Sequence, residues 1–136
     1  VILIEDEEVI LGSLGLLLER EGMRVSRYPS AEPLLEDCAR APLLESASAV
    51  VTDVSLPGLD GIELALELRR KGFARPIVFI TALGNPGFGR HRAALEPFRV
   101  VRKPFRAREL AALLRELPAF GAGKSETELC DRLADA

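Results

Sequence analysis

Short apolar runs recur along this chain, separated by stretches with helical spacing. Val1 to Ile4, Val50-Val51 and Ile77 to Ile80 are β-favouring and apolar at successive positions, the pattern of parallel strands covered on both faces. Arg24 to Tyr28 and Phe98 to Arg102 add two further strands. Between them helices are predicted over about Glu7 to Glu21, closed by Gly22, over Ala31 to Arg40, over Gly61 to Lys71, closed by Gly72, and over Ala107 to Leu117, closed by Pro118. The last is the clearest, because Leu110, Leu113, Leu114 and Leu117 keep the spacing of a single buried stripe. Five strands alternating with helices predict an α/β fold, a doubly wound parallel sheet with helices on both faces.

The pattern breaks in one place and fades in another. Gly84, Pro86, Gly87 and Gly89 fall within six residues, so a helix before Phe98 begins no earlier than about Arg90 and is short. The glycine order there is not a dinucleotide-binding fingerprint. The Leu83-Gly84-Asn85-Pro86-Gly87 string has a superficial likeness to peptidyl-tRNA hydrolases, but no catalytic histidine follows it at a sensible place. After Pro118 the composition turns small and polar, which divides the chain into a domain over 1–118 and a tail over 119–136, with a short helix expected from Glu126 to Ala134. The chain opens on Val1 inside a strand pattern with no initiator methionine, so a few leading residues are expected to be missing.

With 136 residues the chain has room for one domain and a real core. Its 18 basic and 21 acidic residues give a formal charge of -3, which argues against direct nucleic-acid binding by the whole molecule. The charges are unevenly spread: Glu5, Asp6, Glu7 and Glu8 crowd together, whereas Arg90, Arg92, Arg99, Arg102, Lys103, Arg106 and Arg108 form a basic run. Cys38 and Cys130 have neither metal-ligand spacing nor the density of a disulfide framework, which fits a reducing cytoplasm. No apolar run approaches the ~20 residues that span a bilayer, so a membrane partner is not expected.

Candidate chemistry concentrates at the carboxyl ends of the strands, where open doubly wound sheets bind ligands. A hydrophobic strand delivers Asp53 to its end and then breaks at Pro57 and Gly58, and Asp60 is placed to cap the next helix. The first strand brings Glu5 and Asp6, the fourth Thr81, and the fifth Lys103 followed by Pro104. Three converging carboxylates repel one another unless a divalent cation sits among them, and an all-oxygen set suits Mg²⁺ or Mn²⁺ over zinc. A hydroxyl and an ammonium opposite would receive phosphoryl oxygens. Such a site moves phosphate onto or off Asp53.

These residues resemble the receiver domains of two-component response regulators, the CheY-like family. The likeness rests on the acidic pair Glu5-Asp6, the D-x-x-x-P-G-x-D-G loop from Asp53 to Gly61, Thr81-Ala82 and Lys103-Pro104-Phe105, and it covers Val1 to about Leu117. It implies a five-stranded flavodoxin-like sheet in the order 2-1-3-4-5. It also implies that Asp53 accepts a phosphoryl group from the phosphohistidine of a sensor histidine kinase or histidine phosphotransfer protein. Asp6, Asp53 and the Ser55 backbone carbonyl would bind Mg²⁺ directly, with Glu5 acting through water. Lys103, the Thr81 hydroxyl and the Ala82 backbone N–H would contact the phosphoryl group, and the Lys103-Pro104 bond would be cis. The protein is then a signalling phosphoacceptor that assists its own phosphorylation and dephosphorylation, not an enzyme in the classifying sense.

Two positions depart from the family pattern. Val100 stands where an aromatic residue three before the lysine usually reports phosphorylation, and Leu95-Glu96-Pro97 replaces a turn of small residues. Output is therefore expected through the Gly84 to Gly89 segment, with the basic surface at Arg90, Arg92, Arg99 and Arg102 meeting an acidic effector or an acidic patch of a second copy in a homodimer. His91 is expected to be exposed and not a relay residue. The alternatives are the receiver part of a longer transcriptional regulator, a degenerate receiver serving only as an interaction module, or an aspartyl-nucleophile phosphatase. The phosphatase wants a second Asp two residues after the first, and Ser55 stands there.

Overall fold

A computed structural model describes residues 1–82 and 88–120, with side chains as far as residue 117. The strands are β1 (Ile2–Ile4), β2 (Ser26–Tyr28), β3 (Val50–Asp53), β4 (Ile77–Thr81) and β5 (Phe98–Arg102). The helices are α1 (Glu8–Arg20), α2 (Ala31–Arg40), α3 (Leu43–Ser46), α4 (Gly61–Arg70), α5 (Arg92–Leu95) and α6 (Ala107–Phe120). All strands are parallel and lie in the order β2-β1-β3-β4-β5, the doubly wound arrangement expected.

Alternation along the strands builds two cores. Ile2, Ile4, Val50, Ile77, Phe79, Phe98 and Val100 face Leu34 of α2, Leu64 and Leu68 of α4, and Leu95 of α5. Leu3, Val51, Val78, Ile80 and Val101 face the opposite way, against Leu11, Leu14 and Leu18 of α1 and the leucine stripe of α6. Each such leucine contributes roughly 1.5–3 kcal/mol on burial. Gly22 and Gly72 close α1 and α4 at positive φ, as expected.

The structure corrects several boundaries. β2 is shorter than Arg24 to Tyr28, and its three residues are only half-buried because it is an edge strand. α3 has four residues, too few for periodicity to mark it. α6 runs past Pro118 to Phe120, so the missing N–H forfeits one bond of the final turn without ending the helix. A 3₁₀ turn over Gly89–His91 leads into α5, so the helix before β5 is short and late as expected, and His91 is half-buried and not exposed. Gly84 to Gly87, Cys130 and the expected helix from Glu126 to Ala134 lie outside the described residues. Among the described residues no helix is long and apolar enough to cross a membrane.

Candidate functional site

Parallel pairing brings every strand's carboxyl end to one edge. In register, Ile4 of β1 meets Thr52 of β3, and Asp53 meets Ile80 of β4, so Glu5-Asp6, Asp53 and Thr81 follow side by side. The Lys103 N–H donates to the Thr81 carbonyl at 2.8 Å, which carries the lysine beyond the end of β5 back toward β4. The Lys103-Pro104 bond is cis, as is Glu96-Pro97.

Carboxylate oxygens of Glu5, Asp6 and Asp53 lie within 4.8 Å of one another. Glu5, Asp53 and Thr81 are buried, Asp6 and Ser55 are exposed, Lys103 is half-buried, and Ala82 is exposed beside Thr81. Both Asp53 oxygens have donors: the Ser55 N–H reaches Oδ1 at 3.0 Å and Lys103 Nζ reaches Oδ2 at 2.7 Å. Lys103 Nζ also stands 3.9 Å from Glu5 Oε2, so one ammonium faces two buried carboxylates.

The electrostatics describe a site short of positive charge. Loss of hydration pushes the Glu5 carboxyl up to about 7, against the lowering effect of the Glu7 N–H and of Lys103, and with a further upward push from Asp53. Burial pulls the Lys103 ammonium down, but the hydrogen bond and charge of Asp53, with Glu5 and Glu7, outweigh it and leave it raised. Three clustered carboxylates, two of them facing one half-buried lysine, form an all-oxygen donor set that fits a hard divalent cation.

The loop after β3 is held from several sides. The Gly61 N–H donates to the Val54 carbonyl at 2.9 Å, and a Cβ on Gly61 would press into the Asp53 carbonyl oxygen, so α4 starts against the backbone of Asp53. Asp60 caps α4 in a reciprocal box: its Oδ1 accepts from the Glu63 N–H at 2.8 Å, and Glu63 accepts from the Asp60 N–H at 3.4 Å. Gly58, at φ 73°, turns the loop in a region that disfavours side chains. Its tip is tied to α2 by Glu32, whose Oε2 accepts the Leu59 N–H at 3.1 Å.

Sequence reasoning missed Glu32, whose contact spans 27 residues and leaves no periodic signal. It also missed Phe88, a buried ring 5.0 Å from Phe79 and 4.6 Å from Phe98. Val100 is buried in the same hydrophobic core as these rings. The basic surface needs correction, because Arg99 is buried on β5 with its Nη1 donating to the Phe98 carbonyl. Arg90, Arg92 and Arg102 are exposed, as are Arg106 and Arg108.

The family model for the response regulator receiver domain matches residues 1–115. The transcriptional regulatory protein FixJ of Azorhizobium caulinodans is 31% identical over 112 residues, covering 82% of this chain and 51% of its own length. The sensory transduction protein RegX3 of Mycobacterium bovis is 29% identical over 136 residues, covering 100% of this chain and 57% of its own. The chain thus spans about half the length of these curated relatives. Among solved structures, a response regulator receiver domain protein from Clostridium thermocellum matches with a TM-score of 0.75 at 24% identity, covering 88% of this chain and 93% of that one. A sensor protein from Polaromonas sp. JS666 matches with a TM-score of 0.72 at 30% identity, covering 89% and 97%.

Proposed function

The chain belongs to the response regulator receiver family, and on that premise we propose that Asp53 accepts a phosphoryl group from a phosphohistidine on a sensor histidine kinase or phosphotransfer protein. The observation that supports this most is the convergence of Glu5, Asp6, Asp53 and Lys103 at one sheet edge. An Asp53 carboxylate oxygen attacks phosphorus, the P–N bond to the donor imidazole breaks, and its electron pair returns to the ring nitrogen. Asp6, Asp53 and the Ser55 carbonyl would hold Mg²⁺, or Mn²⁺, with Glu5 through water. The ion supplies charge stabilisation of the phosphoryl oxygens in transfer. Lys103 exchanges part of its ion pair with Asp53 for a phosphoryl oxygen, and the Thr81 hydroxyl and Ala82 N–H receive the others. When water attacks phosphorus, the P–O bond to Asp53 breaks and its electron pair returns to the carboxylate, with the same groups facing the phosphoryl oxygens, so Asp53 is a self-assisting signalling acceptor.

An apolar groove of about 420 Å³ lies beside the site, lined by Val9, Ile10, Leu14 and Leu17 of α1 and by Pro104 and Phe105. Val9 is 80% exposed there, an unusual position for an apolar side chain next to a charged site. The phosphodonor protein is proposed to dock on it, in a cytoplasmic setting. Coverage of only half of FixJ and RegX3 favours a second reading beside the first, in which this receiver unit serves a longer transcriptional regulator. The test of the acceptor is labelling with acetyl phosphate and Mg²⁺. The parent should gain one acid-labile, hydroxylamine-sensitive phosphoryl group and Asp53→Asn none, whereas equal labelling of the two would overturn the assignment.

A further inference from the structure

We infer that Glu32 is a positioning residue for the phosphoacceptor, holding the tip of the Asp53–Asp60 loop so that Asp53 and Ser55 keep one arrangement; the inference rests on the acceptor reading above. Glu32 stands in the first turn of α2 and reaches across to the loop, where Oε2 accepts the Leu59 N–H at 3.1 Å. The same oxygen lies 3.0 Å from where a Cβ on Gly58 would stand, so a side chain there would crowd the carboxylate by a few tenths of an ångström. The Leu59 N–H is also the first cause that holds the Glu32 carboxyl below its ordinary value.

The contact matters because the loop sets the acceptor's geometry. Ser55 supplies the N–H on Asp53 Oδ1, and the burial of Leu56 anchors the segment one residue later. From there the chain passes through the exposed Pro57 and Gly58 before Asp60 is fixed by its cap. A tie at Leu59 adds a fixed point inside that interval, between the buried Leu56 and the Asp60 cap, so the backbone that follows Ser55 has less room to shift. Preorganisation of this kind changes binding and rate at the neighbouring group without touching it.

Two substitutions separate the hydrogen bond from the charge. Glu32→Gln keeps an oxygen acceptor for the Leu59 N–H, and Glu32→Ala removes it. Mg²⁺ binding to each protein, titrated by amide NMR without phosphodonor, gives a readout independent of phosphorylation. Acetyl phosphate labelling of Asp53 gives the second, and solvent exchange of the Leu59 amide reports the contact itself. Glu32→Ala should weaken Mg²⁺ binding and slow labelling by roughly fivefold, the scale of one ordinary, solvent-exposed hydrogen bond, with faster exchange at Leu59. Glu32→Gln should recover most of both. Parent-like behaviour of Glu32→Ala would overturn the inference, as would equal impairment of the two variants, which would assign the effect to charge. If the parent itself fails to label, the acceptor reading falls, and Mg²⁺ titration with Leu59 exchange still decides the role of Glu32.

Discussion

Replacing Gly61 by alanine sets two effects of opposite sign against each other. In an unobstructed helix the change is favourable by up to ~1 kcal/mol, because glycine loses more backbone freedom on folding. Here the added Cβ would press into the Asp53 carbonyl oxygen and stand 3.0 Å from Asp53 C and Val54 Cα, all backbone atoms that cannot swing aside. Overpacking of this kind costs ~1–3 kcal/mol. Retreat of α4 would also strain the 2.9 Å bond from the Gly61 N–H to the Val54 carbonyl and the Asp60–Glu63 box, each worth about 1 kcal/mol. The clash wins, with a net loss of about 2 kcal/mol and a Tm lower by roughly 5–10 °C. Urea unfolding at several temperatures measures the loss, and acetyl phosphate labelling should slow because the retreat displaces Asp53 itself. A Gly61→Ala protein as stable as the parent, or more so, would refute the claim that α4 is seated on the Asp53 backbone.

Three further outcomes follow from the geometry. Arg69→Met should cost about 3 kcal/mol in urea unfolding, because the guanidinium donates to the carbonyls of Phe73, Arg75, Leu95 and Pro97, and three of these lose their donor at ~1 kcal/mol each while Pro97 keeps the Ile77 N–H. Glu5 is raised from 4.5 to about 7 in the folded protein, so the native state holds a proton that the unfolded chain has released between those values. Metal-free stability should therefore be full below about 4.5 and fall as pH rises through 7, by at most ~3 kcal/mol, and Glu5→Gln should flatten that slope in denaturation across pH. Leu17→Glu, at the apolar groove, should slow phosphoryl transfer from a phosphohistidine protein by about tenfold or more, as loss of a docking contact does, while acetyl phosphate labelling stays at the parent rate.

Much of this fold was legible because its central strands are buried on both faces, and such strands read as continuous apolar runs. β2 was less clear because Ser26, Arg27 and Tyr28 are half-buried on an edge. Arg99 was misplaced on the surface, yet its parity with the buried Val101 on β5 carried the information that it faces inward. The candidate site could be read because each of its groups follows a strand end, an order that survives in one dimension. Glu32 and Phe88 could not, since each meets partners distant in sequence or brought near only by folding, and the glycine-rich string before Phe88 masked its apolar role.

The central claim is that the Asp53 carboxylate receives the phosphoryl group. Reduction of the phosphorylated protein with borohydride converts an aspartyl phosphate to homoserine, and peptide mass analysis then locates it. The account predicts homoserine at position 53, in amounts that depend on Mg²⁺. Homoserine at Asp6 or Asp60, or a stable phosphate on Ser55 or Thr81, would contradict it.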